Sequence, residues 1–188
     1  MSKQNQWQRI ARRIRVPLGF CFAALFLWLA RPTWYTLALS SLFVLPGLWL
    51  RSYAAGYVRK NAELTTSGPY AYTRNPLYLG SMMIAFGFAA AARSMVIVSV
   101  LVVLFVVIYL PTIRSEETFL QGAFPEFAAY SRRVPRLLPR LRSRGTQLPS
   151  AGFDRARYRH HREYNSAIGT LAIYAALVVK LVLLGRRS

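Results

Sequence analysis

The sequence predicts an all-α, polytopic membrane protein with about five transmembrane helices, and three observations lead to that prediction. The chain has 188 residues, of which 54% are hydrophobic, yet it carries 25 Lys and Arg against 6 Asp and Glu. The apolar residues are gathered in five runs, and the basic residues lie mostly between them. Ordinary soluble domains do not combine this hydrophobicity with a net charge of +19, so the apolar and basic parts must be segregated.

Each apolar run is close to the length of a transmembrane helix. Such a helix needs about 20 residues, with a lower limit near 17, so the shorter runs must borrow flanking residues. A buried helix of a soluble bundle would carry a polar stripe, and residues 96–110 have none beyond Ser99. The five runs cover Val16–Ala30, Trp34–Leu50, Leu77–Ala92, Met95–Leu110 and Ala167–Leu184.

The connections between the runs are short in two places. Residues 31–32 join the first two runs and residues 93–94 join the third and fourth, so both pairs should form tight helical hairpins. The first run follows a basic stretch, as a signal peptide would, but residues 28–33 contain no small-x-small cleavage pattern. We therefore expect it to be a retained membrane helix.

The basic residues predict the orientation. Five precede the first run, four lie in residues 51–74 and eleven in residues 114–162, whereas the two hairpin connections hold one each. Because cytoplasmic loops are enriched in Lys and Arg, we expect the N-terminus and the 51–76 and 114–165 segments to lie in the cytoplasm, in a multi-pass protein of the cell (inner) membrane. Membrane lipids are the expected partners. Nucleic acid is not, since a nucleic-acid binder of this charge would be polar overall.

Several isolated residues carry little functional information. A single cysteine, Cys21, excludes an intramolecular disulfide framework. His160 and His161 are adjacent and cannot share a metal ion from one helix face, so we expect no metal site. Gly80 and Gly87 of the third run indicate close helix packing in the membrane.

The segment before the third run, residues 65–80, is dense in turn formers and hydrogen-bonding side chains. Gly68-Pro69 breaks regular structure, and Pro76 restricts Asn75 to an extended conformation just before a helix begins. The free N–H groups of that helix start can receive an anion. An interfacial aromatic belt would explain the tyrosines but not the turn before Pro76, so a structural and a functional interpretation both stay open.

Two of the six acidic residues, Glu116 and Glu117, stand side by side after the fourth run. Carboxylates near a bilayer are costly unless they are paired or functional. On a helix the two point about 100° apart, so one can bind a ligand while the other pairs with Arg114 or a neighbouring arginine. A plain ion pair at the membrane surface is the alternative.

The segment that follows combines aromatic and arginine residues. Phe124, Phe127 and Tyr130 are spaced three apart, which predicts a short helix with one apolar face against the membrane or the other helices. The arginines after it suit a carboxylate or a phosphate.

Together these segments resemble the superfamily of isoprenylcysteine carboxyl methyltransferases and phospholipid methyltransferases. The resemblance covers about residues 60–140 and preserves the order of three motifs. These are Gly68-Pro-Tyr-x-Tyr-x-Arg-Asn-Pro-x-Tyr-x-Gly80, Glu116-Glu117-x-x-Leu120, and Phe124-x-Glu126-x-x-x-Tyr130 ending in Arg133-Val-Pro-Arg-Leu-Leu-Pro139.

The resemblance implies an integral membrane enzyme that binds S-adenosylmethionine in a cytoplasm-facing pocket, formed by the last helices of the core and a cytoplasmic C-terminal catalytic segment. We therefore expect a membrane methyltransferase core in residues 1–140, with its motifs in residues 65–139. A basic cytoplasmic linker (141–165) and an additional C-terminal transmembrane helix (166–188) follow it, and both lie outside the resemblance. Carried over to this chain, it implies catalytic roles for Tyr78, Tyr130 and Arg133. The implied cofactor-binding residues are Tyr70, Arg74, Asn75, Pro76, Tyr78, Gly80, Glu116 and Glu117.

Two departures from the pattern bear on the methyl acceptor. Protein carboxyl methyltransferases usually have His where this chain has Asn75, and Gly-x-Glu-Tyr where it has residues 123–127. Asn at position 75 is common in the phospholipid branch, which favours a lipid or lipid-like acceptor such as a headgroup amine. The alternatives are a small-thiol or small-amine methyltransferase, an NADPH-dependent sterol-type reductase and a non-catalytic module that binds anionic lipids.

Overall fold

The computed structural model describes residues 21–58, 63–140, 152–160 and 163–185, and all regular structure within them is helical. A short 3₁₀ turn, Gly68–Ala71, precedes the third helix. The helices are α1 (21–29), α2 (Trp34–Tyr57), α3 (Pro76–Ala92), α4 (Met95–Ala123), α5 (Phe127–Arg133), α6 (Arg155–His160) and α7 (Tyr164–Gly185).

Three of these helices are long and apolar enough to cross a membrane: α2, α4 and residues Tyr164–Leu183 of α7. Helix α3 is apolar but has only 17 residues, and α1 is described from residue 21 onward. The prediction of an all-helical fold is therefore confirmed for the described residues, and the three candidate spans support a membrane protein. The number of five spans and the cytoplasmic C-terminal catalytic segment stay predictions. Large apolar side chains such as Leu42 and Leu171 are exposed on these helices, as contact with lipid requires.

Helices α2 and α3 pack closely because glycines remove side chains from their contact. A Cβ atom on Gly80 would lie 2.7 Å from the Gly47 carbonyl oxygen, and one on Gly87 would lie 2.8 Å from the Ser40 carbonyl oxygen. Such small residues let membrane helices approach each other at backbone distance. This confirms the packing predicted from Gly80 and Gly87.

The helices have two common ends, which we call the site end and the far end. Helix α2 ends and α3 begins at the site end, whereas α1 and α3 end together at the far end, where the Arg31 N–H donates to the Ala92 carbonyl at 3.0 Å. Helix α7 starts at the site end, since Glu163 pairs with Arg51 at 2.8 Å. Its other end lies at the far end, because the Lys180 Nζ donates to the carbonyl of Trp28 at 2.9 Å. The sequence did not indicate at which end of the bundle this last helix would end.

Helix α4 runs from the far end to the site end, where it carries the paired carboxylates Glu116 and Glu117. It contains a π-helical turn at Phe105–Tyr109, just before Pro111. Proline lacks an N–H and its ring displaces the carbonyl four residues earlier, which accounts for the rearranged turn. From Met95 to Glu117 the helix rises roughly 33 Å, about the thickness of a bilayer core.

The C-terminal part of the chain returns to the site end. Phe127, Tyr130 and Val134 are buried together, which confirms the short helix with one apolar face. Of the predicted linker, residues 141–151 and 161–162 lie outside the described residues, and α6 packs against the end of α2. There the Asp154 N–H donates to the Gly56 carbonyl at 3.0 Å.

Candidate functional site

Glu117 is the centre of the candidate site. Its carboxylate is buried, and one oxygen accepts hydrogen bonds from Arg136 Nη2 at 2.8 Å and Arg136 Nε at 2.9 Å. The other oxygen lies 3.4 Å from Arg74 Nη1 and accepts from Asn75 Nδ2 at 3.3 Å. One carboxylate therefore joins the turn before α3, helix α4 and the C-terminal arginine segment. We call Glu117 and its partners Arg74, Asn75 and Arg136 the Glu117 cluster.

Backbone hydrogen bonds hold the turn before α3 against the C-terminal segment. The Arg74 N–H donates to the Pro135 carbonyl at 2.9 Å, and the Arg140 N–H donates to the Tyr72 carbonyl at 3.0 Å. The Thr73 hydroxyl, which is buried, donates to the Leu137 carbonyl at 2.9 Å. These bonds fix the position of the turn before α3 without using the side chains of Arg74 and Asn75.

Asn75 adds a link between the two segments. Its side-chain amide also donates to the Arg136 carbonyl at 2.9 Å. The same NH₂ group thus touches both members of the ion pair formed by Glu117 and Arg136. A histidine could not reproduce these two donations from one atom, so the asparagine suits this particular cluster.

Tyr130 anchors the 3₁₀ turn rather than pointing into open space. Its hydroxyl donates to the Tyr70 carbonyl at 2.7 Å, and both tyrosines are buried. Burial is the main cause that raises the pKa of both phenols above the usual value, because the charged phenolate would be poorly solvated. Both side chains are therefore neutral hydrogen-bonding groups at physiological pH. The catalytic role implied for Tyr130 stays a prediction.

Tyr78 and Glu116 form the exposed part of the site. The Tyr78 hydroxyl donates to a Glu116 carboxylate oxygen at 3.0 Å, and the Tyr78 ring stands edge-on to Tyr109 with centroids 5.8 Å apart. Glu116 is exposed, whereas its neighbour Glu117 is buried. One of the two carboxylates thus pairs with arginines, as the helix geometry predicted, and the ligand-binding role of the other stays a prediction. The arginine partners of Glu117 are Arg74 and Arg136, not Arg114.

Arg74 has unused hydrogen-bonding capacity inside the site. Its guanidinium lies over the Phe127 ring, 5.9 Å from the centroid, and contacts Glu117. Its Nε is buried and has no hydrogen-bond partner among the described residues. A buried donor without a partner is costly, and such groups in native structures often await a ligand or a water molecule.

The structure brings most of the predicted site residues to the site end but separates two of them from the Glu117 cluster. Gly80 lies against Gly47 of α2, and Arg133 is exposed at the end of α5. Arg136, not Arg133, pairs with the carboxylate. The functional assignments of Gly80 and Arg133 stay predictions. The sequence singled out an arginine-rich segment, but it could not indicate which arginine turns inward.

The arginines and the exposed carboxylate of the site fit the functional groups of S-adenosylmethionine. The half-exposed guanidinium of Arg136 and the unused Nε of Arg74 suit a carboxylate. The exposed Glu116 carboxylate suits an amino group or ribose hydroxyls. The buried polar residues hold these groups in place, so the arrangement can bind and orient a charged amino acid end beside a membrane surface.

A family model described as phospholipid methyltransferase matches residues 35–126. This segment includes α2, α3, α4 and the turn that carries Asn75. The superfamily resemblance inferred from the motifs is therefore confirmed over this segment. The arginine segment after residue 126 and helix α7 lie beyond it.

Two curated bacterial proteins are similar to this chain. It is 44% identical over 101 residues to the cobalt-zinc-cadmium resistance protein CzcN of Cupriavidus metallidurans, which covers 54% of this chain and 46% of that protein. It is 40% identical over 108 residues to the nickel-cobalt-cadmium resistance protein NccN of Alcaligenes xylosoxydans xylosoxydans, which covers 56% and 50%. The chain thus spans about half the length of the curated relatives it matches. No solved structure matches it significantly.

Proposed function

Because residues 35–126 match the family model described as phospholipid methyltransferase, we propose that this chain is an S-adenosylmethionine-dependent methyltransferase whose acceptor is a lipid or lipid-like amphiphile at the cytoplasmic membrane face. The observation that carries the proposal is the Glu117 cluster. It gathers the polar residues of three separate segments at one end of a bundle of membrane helices.

The bound cofactor supplies an electrophilic methyl group, so the protein has to bind, orient and exclude water. Arg136 and Arg74 hold the carboxylate of the amino acid end. Glu116 binds its amino group or the ribose. The buried contacts of Glu117 with Asn75 and both arginines keep these groups in a fixed arrangement.

The nature of the acceptor decides whether the site needs a base. A carboxylate acceptor is already a nucleophile, whereas an amine must lose a proton. Tyr78, whose hydroxyl donates to the Glu116 carboxylate, is the residue that we assign to assist this proton transfer. We favour an amine-bearing or other non-protein lipid, because Asn75 replaces the histidine usual in protein carboxyl methyltransferases.

An acceptor that enters from the bilayer suits the position of the site. Tyr78 lies in the first turn of α3 and Glu117 near the C-terminal end of α4, so the proposal puts both at the depth of the lipid headgroups. A small thiol or amine would not need a site at the end of a bundle of membrane helices. A sterol-type reductase would need NADPH, and a module that only binds anionic lipids would need no cofactor.

The names of the two relatives concern metal resistance. We propose no direct role in metal binding for this chain. The described residues contain no group of three His, Cys, Asp or Glu side chains that could hold a metal ion. No group of described side chains therefore supports direct binding of a metal ion.

Cofactor binding is the first test. Titration calorimetry of the full chain in detergent should give binding of S-adenosylmethionine and none of NADPH. Glu116→Gln should weaken the affinity about 10-fold to 100-fold, because a hydrogen bond to a charged group contributes roughly 1.5 to 3 kcal/mol. Glu126→Gln is the matched control, since Glu126 is exposed and lies outside the cluster. Binding of NADPH instead would refute the methyltransferase assignment.

Product analysis is the second test. The purified protein is incubated with radiolabelled S-adenosylmethionine and, in parallel, total lipid extract, a prenylcysteine analogue and small thiols. We expect label in the lipid fraction. Label only in a volatile thiol product would refute the lipid acceptor and leave the methyltransferase assignment standing.

A further inference from the structure

A second feature of the structure lies between α7 and the rest of the bundle. A pocket of about 590 Å³ opens there, and its walls come from α1, α2, α3, α4 and α7. Its volume is within the range of ligand-binding pockets. It shares no lining residue with the Glu117 cluster, and α7 lies outside the segment matched by the family model.

Helix α7 is attached to the bundle by a few polar contacts. Glu163 pairs with Arg51 at the site end, and Lys180 reaches the carbonyls of α1 at the far end. Between them, the Tyr174 hydroxyl lies 2.7 Å from the Ser40 hydroxyl. Small residues such as Ala176 leave space beside these contacts. The polar contacts therefore fix the helix while the apolar packing beside them is incomplete.

The lining has a polar end and an apolar end. Arg51, Ser81 and Ser166 line it at the site end, whereas Phe88 and Ala176 line it toward the far end. Along α7 the step from Ser166 to Ala176 is about 15 Å. The charges of Arg51 and Glu163 neutralise each other, and the hydroxyls of Ser81 and Ser166 donate to the Leu77 carbonyl and to Glu163. The polar end is therefore lined by polar groups and has no net charge.

We propose that this pocket binds one acyl chain of a bilayer phospholipid, with the ester linkage at the polar end. The pocket's polarity runs in the same direction as that of the lipid beside it, because the polar end lies at the membrane surface and the apolar end within the span. An unfilled apolar pocket would deprive its lining of dispersion contacts. The neighbouring molecules available to fill it in a membrane are lipid chains. The bound chain thus completes the packing of α7 on the bundle.

Photolabelling tests this site without S-adenosylmethionine, so its outcome is independent of methyl transfer. The full chain, purified in mild detergent, is incubated with a phospholipid that carries a diazirine midway along one acyl chain. After illumination, the labelled residues are mapped by mass spectrometry. We expect label on the pocket-lining faces of α3 and α7.

Two adjacent alanines provide matched variants. Ala176 lines the pocket, whereas Ala175 is exposed outside it. Ala176→Phe should lower the label in the pocket at least about five-fold by filling it, and Ala175→Phe should leave it within about two-fold. If Ala176→Phe does not fold, Ala85→Phe on the opposite wall serves the same purpose. Undiminished label in the filled variant, or label confined to exposed faces or absent, would overturn the proposal.

Discussion

Replacing Glu117 by glutamine should destabilise the protein, although the two side chains have nearly the same size. Glutamine keeps one oxygen but loses the negative charge that Arg136 and Arg74 share. Arg74 is largely buried, with 13% of its side chain exposed, so it would keep a charge without a partner. Arg136 is 43% exposed and can return to solvent.

The size of the effect follows from this difference in burial. Breaking a buried ion pair by removing one partner costs roughly 3 to 5 kcal/mol. Since one of the two arginines is half exposed, we expect about 3 kcal/mol, the lower end of that range. For a domain of this length this corresponds to a melting temperature lowered by roughly 6 to 12 °C.

Glu116→Gln is the control, because Glu116 is exposed and makes one described hydrogen bond, to Tyr78. Its stability should change by no more than about 0.5 kcal/mol. Thermal unfolding of both variants in the same detergent, followed by circular dichroism, measures the difference. Equal melting temperatures for the two variants would show that the Glu117 cluster does not hold the site together.

Further predictions concern the turn, the helix contact and the orientation. Tyr130→Phe should cost about 1 to 3 kcal/mol by leaving the Tyr70 carbonyl without its donor, and Tyr130→Leu should cost more, as chemical unfolding can measure. Because folding raises the pKa of Tyr70 and Tyr130, stability should be insensitive to them below pH of about 10 and fall above it, where the unfolded phenols ionise first; an unfolding midpoint that stays constant above that pH would contradict this. Gly47→Ala should destabilise the α2–α3 contact by roughly 1 to 3 kcal/mol, whereas Gly122→Ala, which meets nothing within 4 Å, should not. In a variant without Cys21, a cysteine at position 65 should react from the cytoplasm and one at position 93 from the other side; labelling of position 65 from outside would reverse the orientation and the location of the site.

The sequence determined the class of the protein because the relevant information is local. Apolar runs such as Met95–Leu110 are long enough to identify membrane helices without any tertiary contact. The spacing of Phe127 and Tyr130 indicated a short helix with one buried face, and the order of three motifs identified the superfamily. Glu116 and Glu117 were found because adjacent carboxylates at a membrane boundary are unusual.

Only the tertiary structure decided which side chains meet. Glu117 lies 42 positions from Asn75 and 19 from Arg136, and no local pattern indicates that one amide donates to both the carboxylate and the backbone of that arginine. Arg133 and Arg136 look equivalent in sequence, but their directions depend on where α5 ends. Burial and ion pairing are properties of the packed bundle, so the cluster around Glu117 and the pocket beside α7 appear only when the helices are placed together.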